Sequence, residues 1–487
     1  MSAADERAAL ALAPTGLLRG GAWVASSTGR TLEVEDPSTR EVLAEVADAS
    51  VDDARAALDA AVAAQPGWAA TPPRERGEIL RRTYELMTER NEQLALLMTL
   101  EMGKPLAESR AEVAYAADFF RWFSEEAVRI DGSWSTAPDG RSRIVTMRQP
   151  VGPCLLVTPW NFPLAMGARK IGPAFAAGCT VVVKAAKQTP LSMHALAAIL
   201  HEAGLPAGVL GTVTTSTAGP VVSALLADTR LRKLSFTGST PVGVSLAEQA
   251  APNLIRTSLE LGGNAPFLVF EDADLDRAVE QAVLAKLRNN GEACTAANRF
   301  YVQSTVAAEF AHRLAGRFRS LVVGRGTRDD VTLGPLIDAA AVAKVDELVE
   351  AATADGARVA FSTAVPEGGY FAAASVLTDV PPTSRVVSEE IFGPVAPIVS
   401  FGTEAEVLEW ANASEYGLAG YLFTRDLGRA VRVSEQLEVG MIGVNRGVLS
   451  NPAAPFGGVK ASGYGREGGH EGIDEYLETK YLSLGVD

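Results

Sequence analysis

Strands alternating with helices, in a chain too long for one hydrophobic core, place this protein in the α/β class, with parallel sheets shared between at least two domains. The alternation is clearest over residues 154–261, where short β-branched runs are separated by helical patterns. Such a series builds βαβ units. Length is the second observation: 487 residues exceed the roughly 250–300 at which a single core stops growing. The third is composition, 47% hydrophobic and 21% charged, ordinary for a globular protein facing water.

Each element follows from a local pattern. TLEVEDPSTREVLAEV is a β-like stretch, and apolar residues at three-to-four spacing predict helices over 51–65, 73–102 and 106–130. Residues 131–143 are rich in Gly, Ser and Asp and read as a loop or excursion. CLLVTP is then a strand, 164–177 a helix, TVVVK a strand and 191–203 a helix. VLGTVT, a helix from about Pro220, KLSFTG, a helix from Pro241 and TSLEL continue the series. Ligands of such sheets sit beyond the carboxyl ends of the strands. A second α/β series opens near Ala265 with PFLVF, the acidic helix start DADLD and FYVQ, and runs to about Phe456. The tail YLETKYLSLGVD alternates like a strand that adds to another subunit's sheet.

Acidic residues outnumber basic ones, 59 against 44, for a net charge of −15. That balance argues against nucleic acid or an anionic membrane as partner, and it requires local cations for any anionic ligand. The first residues resemble no signal peptide, and no apolar run approaches the roughly 18 residues of a membrane span; a cytoplasmic protein is expected. Cys154, Cys179 and Cys294 are too few and too scattered for a disulfide framework, and the four histidines lack metal-ligand spacing. No metal is expected.

Four segments carry candidate chemistry. Cys154 and Cys179 border apolar strands and read as small buried hydrophobes, whereas Cys294 sits among small and polar residues in RNNGEACTAANR. It is either another such hydrophobe or a nucleophile, and a nucleophile needs a base that no neighbouring histidine supplies. Glu260, in SLELGGN, is either a strand end facing solvent or a general base tuned upward by burial. Asn161, in TPWNFP, is turn chemistry or an oxyanion donor. In SFTGSTPVG, Gly238 and Ser239 precede a helix start that suits a phosphate, although G-x-G-x-x-G is absent.

Together these segments resemble the aldehyde dehydrogenase superfamily along nearly the whole chain. The matching motifs, in order, are EMGKP from Glu101, TPWNFP from Thr158, FTGST from Phe236, ELGGNAP from Glu260, the Cys294 segment, EEIFGP from Glu389 and PFGGVKASGYGRE from Pro455. The resemblance implies the aldehyde dehydrogenase fold. A Rossmann-like cofactor domain would span 1–130 and 148–261 and a catalytic α/β domain 262–468, with a β oligomerisation extension at 131–147 and 469–487. It implies a homodimer or homotetramer.

The same resemblance assigns roles. Cys294 would be the nucleophile, Asn161 the oxyanion donor, Glu260 the general base and Lys170 a proton relay. Trp160, Asn161, Lys184, Ala186, Lys187, Gly238, Ser239, Leu261, Glu390 and Phe392 would line the NAD(P) cleft. RKIGPAFAAGCTVVVK, LRKLSFTGST, GPLIDAAAVAKV and APFGGVKASGYGREG resemble the succinate-semialdehyde dehydrogenase branch. That likeness implies Arg169 and Arg288 as ligands of the substrate carboxylate, with Ser450 and Phe162 beside them; read without it, each arginine is a solvated helix face.

Two departures from the family pattern matter. Lys187 stands where a glutamate grips the adenosine ribose, which predicts NADP use, with NAD possible. Ala296 stands where some relatives carry a second cysteine, so no redox switch is expected there. Glutarate semialdehyde or another aldehyde is the alternative substrate. A CoA-acylating enzyme, or a silent binding protein on this fold, is the rival class, and the presence of Glu260 and Cys294 disfavours both.

Overall fold

In the computed structural model, which describes residues 1–485, the alternation beginning at Cys154 folds into a six-stranded sheet. Its order is Gly463–Tyr464, Arg256–Glu260, Lys233–Thr237, Cys154–Val157, Val181–Lys184, Leu210–Val213. The last five are mutually parallel and Gly463–Tyr464 joins antiparallel. Their near-continuous apolar runs follow from burial on both faces. Helices Ala165–Ala177 and Pro190–Glu202 cover one face; Val51–Ala70, Ala218–Leu226 and Thr240–Ala250 cover the other. The chain starts in the middle of this sheet, winds outward to Leu210–Val213, then returns to the opposite side at Lys233–Thr237. Strand order therefore reverses between Cys154–Val157 and Lys233–Thr237, and a crevice opens at their carboxyl ends.

The second series forms a seven-stranded sheet in the order Arg358–Ser362, Ser375–Thr378, Val395–Phe401, Ala297–Gln303, Ala265–Val269, Ala419–Phe423, Met441–Val444. Two apolar clusters sandwich it, one around Phe267, Phe300 and Phe310, the other around Tyr301, Leu348 and Val399. A separate three-stranded sheet joins Leu477–Gly485, Ser142–Pro150 and Ser133–Thr136, and leaves Trp134 and Tyr481 exposed.

Several elements depart from the sequence reading. The helix expected over 73–102 is two, Pro73–Glu89 and Asn91–Met102. The break at Arg90 lets the second helix bury every residue from Leu94 onward, while Arg90 bonds Glu202 at 2.8 and 2.6 Å. The helix expected over 51–65 continues through Pro66 to Ala70, because Trp68 packs edge-on to Phe175 at 6.0 Å. The helix expected over 106–130 stops at Glu126. Residues 131–143 are not simply a loop: Ser133–Thr136 pairs antiparallel with Ser142–Pro150. The tail strand pairs with Ser142–Pro150 of its own chain, in register from Leu477↔Pro150 to Gly485↔Ser142. Val486 and Asp487, at the end of the extension expected over 469–487, lie outside the described residues.

Candidate active site

The crevice at the strand reversal is where the candidate residues meet. Trp160 and Asn161 follow the strand Cys154–Val157, and Gly238 and Ser239 follow Lys233–Thr237. A cavity of about 380 Å³ opens there, lined by Trp160, Asn161, Gly238, Ser239, Leu261, Cys294, Glu390 and Phe392. A second cavity of about 750 Å³ shares Trp160, Gly238 and Ser239 and continues past Lys184, Ala186 and Lys187. All ten residues expected to hold the cofactor thus line one continuous cleft.

The cysteine segment is held in an unusual backbone. Asn289, Asn290 and Gly291 are consecutively left-handed, with φ of 57°, 58° and 82°. Asparagine tolerates that region better than most residues because its amide bonds locally, at about 1–2 kcal/mol of strain each. Here the Asn290 amide is fully occupied, and the Asn289 amide donates twice while its Oδ1 stays unpaired. Asn290 accepts from the Gly334 N–H and donates to the Pro335 carbonyl, each at 2.8 Å, and Asn289 donates to the carbonyls of Asn161 and Glu292 at 2.9 Å. A Cβ at Gly291 would lie 2.5 Å from the Gly393 carbonyl. Gly263 explains the double glycine after Glu260, since a Cβ there would come within 2.3 Å of the Cys294 carbonyl oxygen. Strand end and cysteine loop therefore touch backbone to backbone.

Cys294 is half-buried, while Cys154 and Cys179 are fully buried as expected. Burial pushes the Cys294 thiol up to about 11; Arg169 pulls it down, while Glu390 and Glu260 add to the rise. Asn161 is buried and its side-chain amide donates to the Glu292 carbonyl at 2.9 Å. That bond uses one of its two N–H groups and orients the other. The Cys294 backbone N–H has no hydrogen-bond acceptor among the described residues.

Glu260 does not face solvent; it is 3% exposed and its Oε2 has no hydrogen-bond partner. Burial, and next the Glu467 charge, push its carboxyl well above the usual range, against Arg169 and Lys170. Lys170 is fully buried, bonds Ser235 Oγ at 2.9 Å and pairs with Glu467. Its ammonium acts on Glu260 through charge, with Glu467 as its direct partner. Arg169 is also paired with Glu467 and stacks over Phe456 at 4.1 Å. This pairing was not anticipated for a substrate ligand, yet Arg169 Nη2 still lacks a hydrogen-bond partner. Burial opposes the Glu467 charge, but Arg169 and Lys170 outweigh it and hold that carboxyl below its usual range.

The other substrate candidates gather around Arg288. It donates to Ser450 Oγ at 3.1 Å and lies over the Phe162 ring at 5.0 Å, with Lys104 over the same ring at 4.4 Å. Both guanidiniums, of Arg169 and Arg288, bear on the Cys294 thiol.

At the cofactor end, burial pushes Glu390 up to about 7, although it accepts from the Gly263 N–H at 3.0 Å. Phe392, at φ 54°, meets Trp160 edge-on with centroids 5.5 Å apart. Burial, then Lys187, pull Lys184 down to about 8. These features fit a dinucleotide. The 11-residue helix Thr240–Ala250, whose first turn lines the larger cavity, begins with no side-chain cap, leaving first-turn N–H groups for an anion, and Glu390 offers a carboxylate to a ribose.

Sequence reasoning missed Glu467, Tyr115 and Glu292. Glu467 lies within the motif PFGGVKASGYGRE, but nothing local marks an acid whose cations stand 297 and 298 positions earlier. Glu292 is a buried carboxyl that accepts from the Ile337 N–H at 3.0 Å and braces the cysteine loop from below. Among the described residues no cluster of metal-binding side chains occurs, and no helix is long and apolar enough to cross a membrane.

A model of the aldehyde dehydrogenase family matches residues 23–482. The chain belongs to the aldehyde dehydrogenase family. It is 57% identical over 444 residues to a succinate-semialdehyde dehydrogenase of Paenarthrobacter nicotinovorans, covering 91% of this chain and 99% of that relative. It is 50% identical over 466 residues to a glutarate-semialdehyde dehydrogenase of Pseudomonas putida, covering 96% and 97%. The crystal structure of an Escherichia coli NADP-dependent enzyme, 49% identical, superposes with a TM-score of 0.96 over 98% of this chain and 99% of that one. The α/β architecture expected from the alternation is therefore that of this family.

Proposed function

We propose that the protein oxidises a short aldehyde bearing a terminal carboxylate, succinate semialdehyde foremost, through a thioester on Cys294 that water hydrolyses. The single observation that carries this reading is the meeting of Cys294 and Asn161 at one crevice, with Glu260 and two arginines acting on the thiol by charge. When bound, the nicotinamide would supply the hydride acceptor.

At neutral pH a thiol held near 11 is protonated, so attack needs a base. Water in the cleft takes that proton as Cys294 Sγ bonds the aldehyde carbon, with the Arg169 and Arg288 charges favouring the thiolate. The developing oxyanion accepts from the free Asn161 N–H and the Cys294 backbone N–H. Loss of hydride from the same carbon leaves the thioester. Glu260 then deprotonates water, whose attack releases the acid and restores the thiol. Glu467 and Lys170 hold the charge balance behind Glu260 and offer its proton an exit towards Ser235.

The cofactor is NADP in preference to NAD, because Lys184 and exposed Lys187 set positive charge along the adenosine end of the cleft. Similarity to a glutarate-semialdehyde dehydrogenase keeps the longer semialdehyde as second candidate, since one methylene is worth only about 1–3 kcal/mol in a pocket. A steady-state panel of succinate semialdehyde, glutarate semialdehyde and butyraldehyde with each cofactor tests the reading. Preference for butyraldehyde would remove it.

A further inference from the structure

Two neighbouring hydrogen-bond donors, Tyr115 and Arg169, are buried without a well-formed partner. Tyr115, on the helix Leu106–Glu126, carries a hydroxyl sealed from solvent that makes no well-formed hydrogen bond, and Arg169 Nη2 is in the same state. Leaving a buried donor unpaired is costly, and native proteins keep such groups where a ligand satisfies them. The surroundings of Tyr115 define the ligand. The charges acting on its hydroxyl are the guanidiniums of Arg169 and Arg288, and both Ser450 and Arg169 lie within hydrogen-bonding reach of it. Arg288 in turn holds Ser450 at 3.1 Å. Burial raises the phenol above its usual range, which keeps the hydroxyl protonated, a donor, at neutral pH. Phe119 fixes the ring edge-on at 4.9 Å.

We propose that Tyr115 is a specificity-determining residue whose hydroxyl donates to the terminal carboxylate of the aldehyde, completing a set with Arg169, Arg288 and Ser450. The inference deepens the carboxylate-aldehyde reading and rests on it. A carboxylate presents about four lone-pair sites on two oxygens, which two guanidiniums and two hydroxyls can fill together. The position also works by exclusion. An aldehyde without the carboxylate enters and leaves the Tyr115 hydroxyl dry and unpaired, so the pocket rejects it rather than merely gaining less.

Tyr115→Phe removes one oxygen and keeps the ring packing. The test is steady-state kinetics of wild type and Tyr115→Phe on succinate semialdehyde and butyraldehyde, with succinate as product inhibitor. For succinate semialdehyde, kcat/KM falls on the order of 10- to 100-fold, mostly in KM, as expected for one hydrogen bond to a charged group. The succinate inhibition constant weakens by a similar factor. For butyraldehyde, kcat/KM stays within about threefold or rises, because the unpaired donor is gone. Equal losses on both aldehydes would make Tyr115 a packing residue, and no loss on either would remove it from the site; each overturns the proposal. A wild type indifferent between the two aldehydes overturns the carboxylate reading and this inference with it. A wild type that prefers succinate semialdehyde, with Tyr115→Phe equally selective, overturns the inference alone.

Discussion

Arg288→Ala isolates substrate recognition from the fold, because Arg288 has little structural work. Its guanidinium makes one hydrogen bond, to Ser450 at 3.1 Å, lies over Phe162 at 5.0 Å, and forms no ion pair among the described residues. Arg169, by contrast, is tied to Glu467 in the buried network beside Glu260, and its removal would strand that acid. Deleting one partner of a buried, hydrogen-bonded charge pair costs roughly 2–5 kcal/mol. Arg288 is only half-buried, and Arg169 and Ser450 remain, so the lower end applies. At about 1.4 kcal/mol per tenfold, kcat/KM for succinate semialdehyde falls on the order of 30-fold. Butyraldehyde, which has the length without the charge, loses less than about threefold on the same arithmetic. The assay is initial-rate absorbance of reduced cofactor on both aldehydes with one preparation. A parallel loss on the two would refute the reasoning, because it would mean that Arg288 acts on Cys294 or the fold rather than on the carboxylate.

Two further outcomes follow from the charges. Lys187→Glu should shift preference from NADP towards NAD by about tenfold or more, since it replaces a cation with an anion at the adenosine end of the cleft; an unchanged ratio of kcat/KM values contradicts the assignment. His194 is fully buried between the Pro14 carbonyl at 2.7 Å and Thr214 Oγ1 at 3.0 Å, and burial pulls it from 6.5 down to about 4. Its folded pKa is the lower one, so its stabilisation is complete above about pH 6.5 and is lost as pH falls towards 4, up to about 3 kcal/mol. Melting of His194→Gln should therefore depend less steeply on pH than wild type between about 6.5 and 4.5; parallel slopes would remove this role.

Much of the site was legible because its members sit in local patterns. Glycine flanks both Glu260 and Cys294, and the structure gives each glycine a steric reason, the Cys294 carbonyl against Gly263 and the Gly393 carbonyl against Gly291. What escaped was pairing over distance. Glu467, the partner of both Arg169 and Lys170, cannot be told from a surface acid in GYGREGG, and Tyr115 looks like any aromatic on an amphipathic helix. In the fold, alternation located the five parallel strands of the first sheet and Ala265–Val269 and Ala297–Gln303 of the second, since burial on two faces writes itself into composition. It failed at 131–143, where the Ser-rich strand Ser133–Thr136 lies exposed with Trp134 outward, and at Arg90, where two helices with different burial meet without glycine or proline.

The central claim is a thioester on Cys294 that Glu260 resolves. Glu260→Gln removes the base for hydrolysis, a step worth roughly 10²–10⁴-fold, so this variant should accumulate the acyl enzyme when given succinate semialdehyde and oxidised cofactor. Rapid quenching in acid followed by intact-protein mass spectrometry and peptide mapping reads it directly. The account predicts one succinyl group per chain, on the peptide containing Cys294, matched by about one equivalent of reduced cofactor in the burst, and no adduct in the Cys294→Ala protein. A burst without an acyl group, or the same adduct on Cys154 or Cys179, would contradict it.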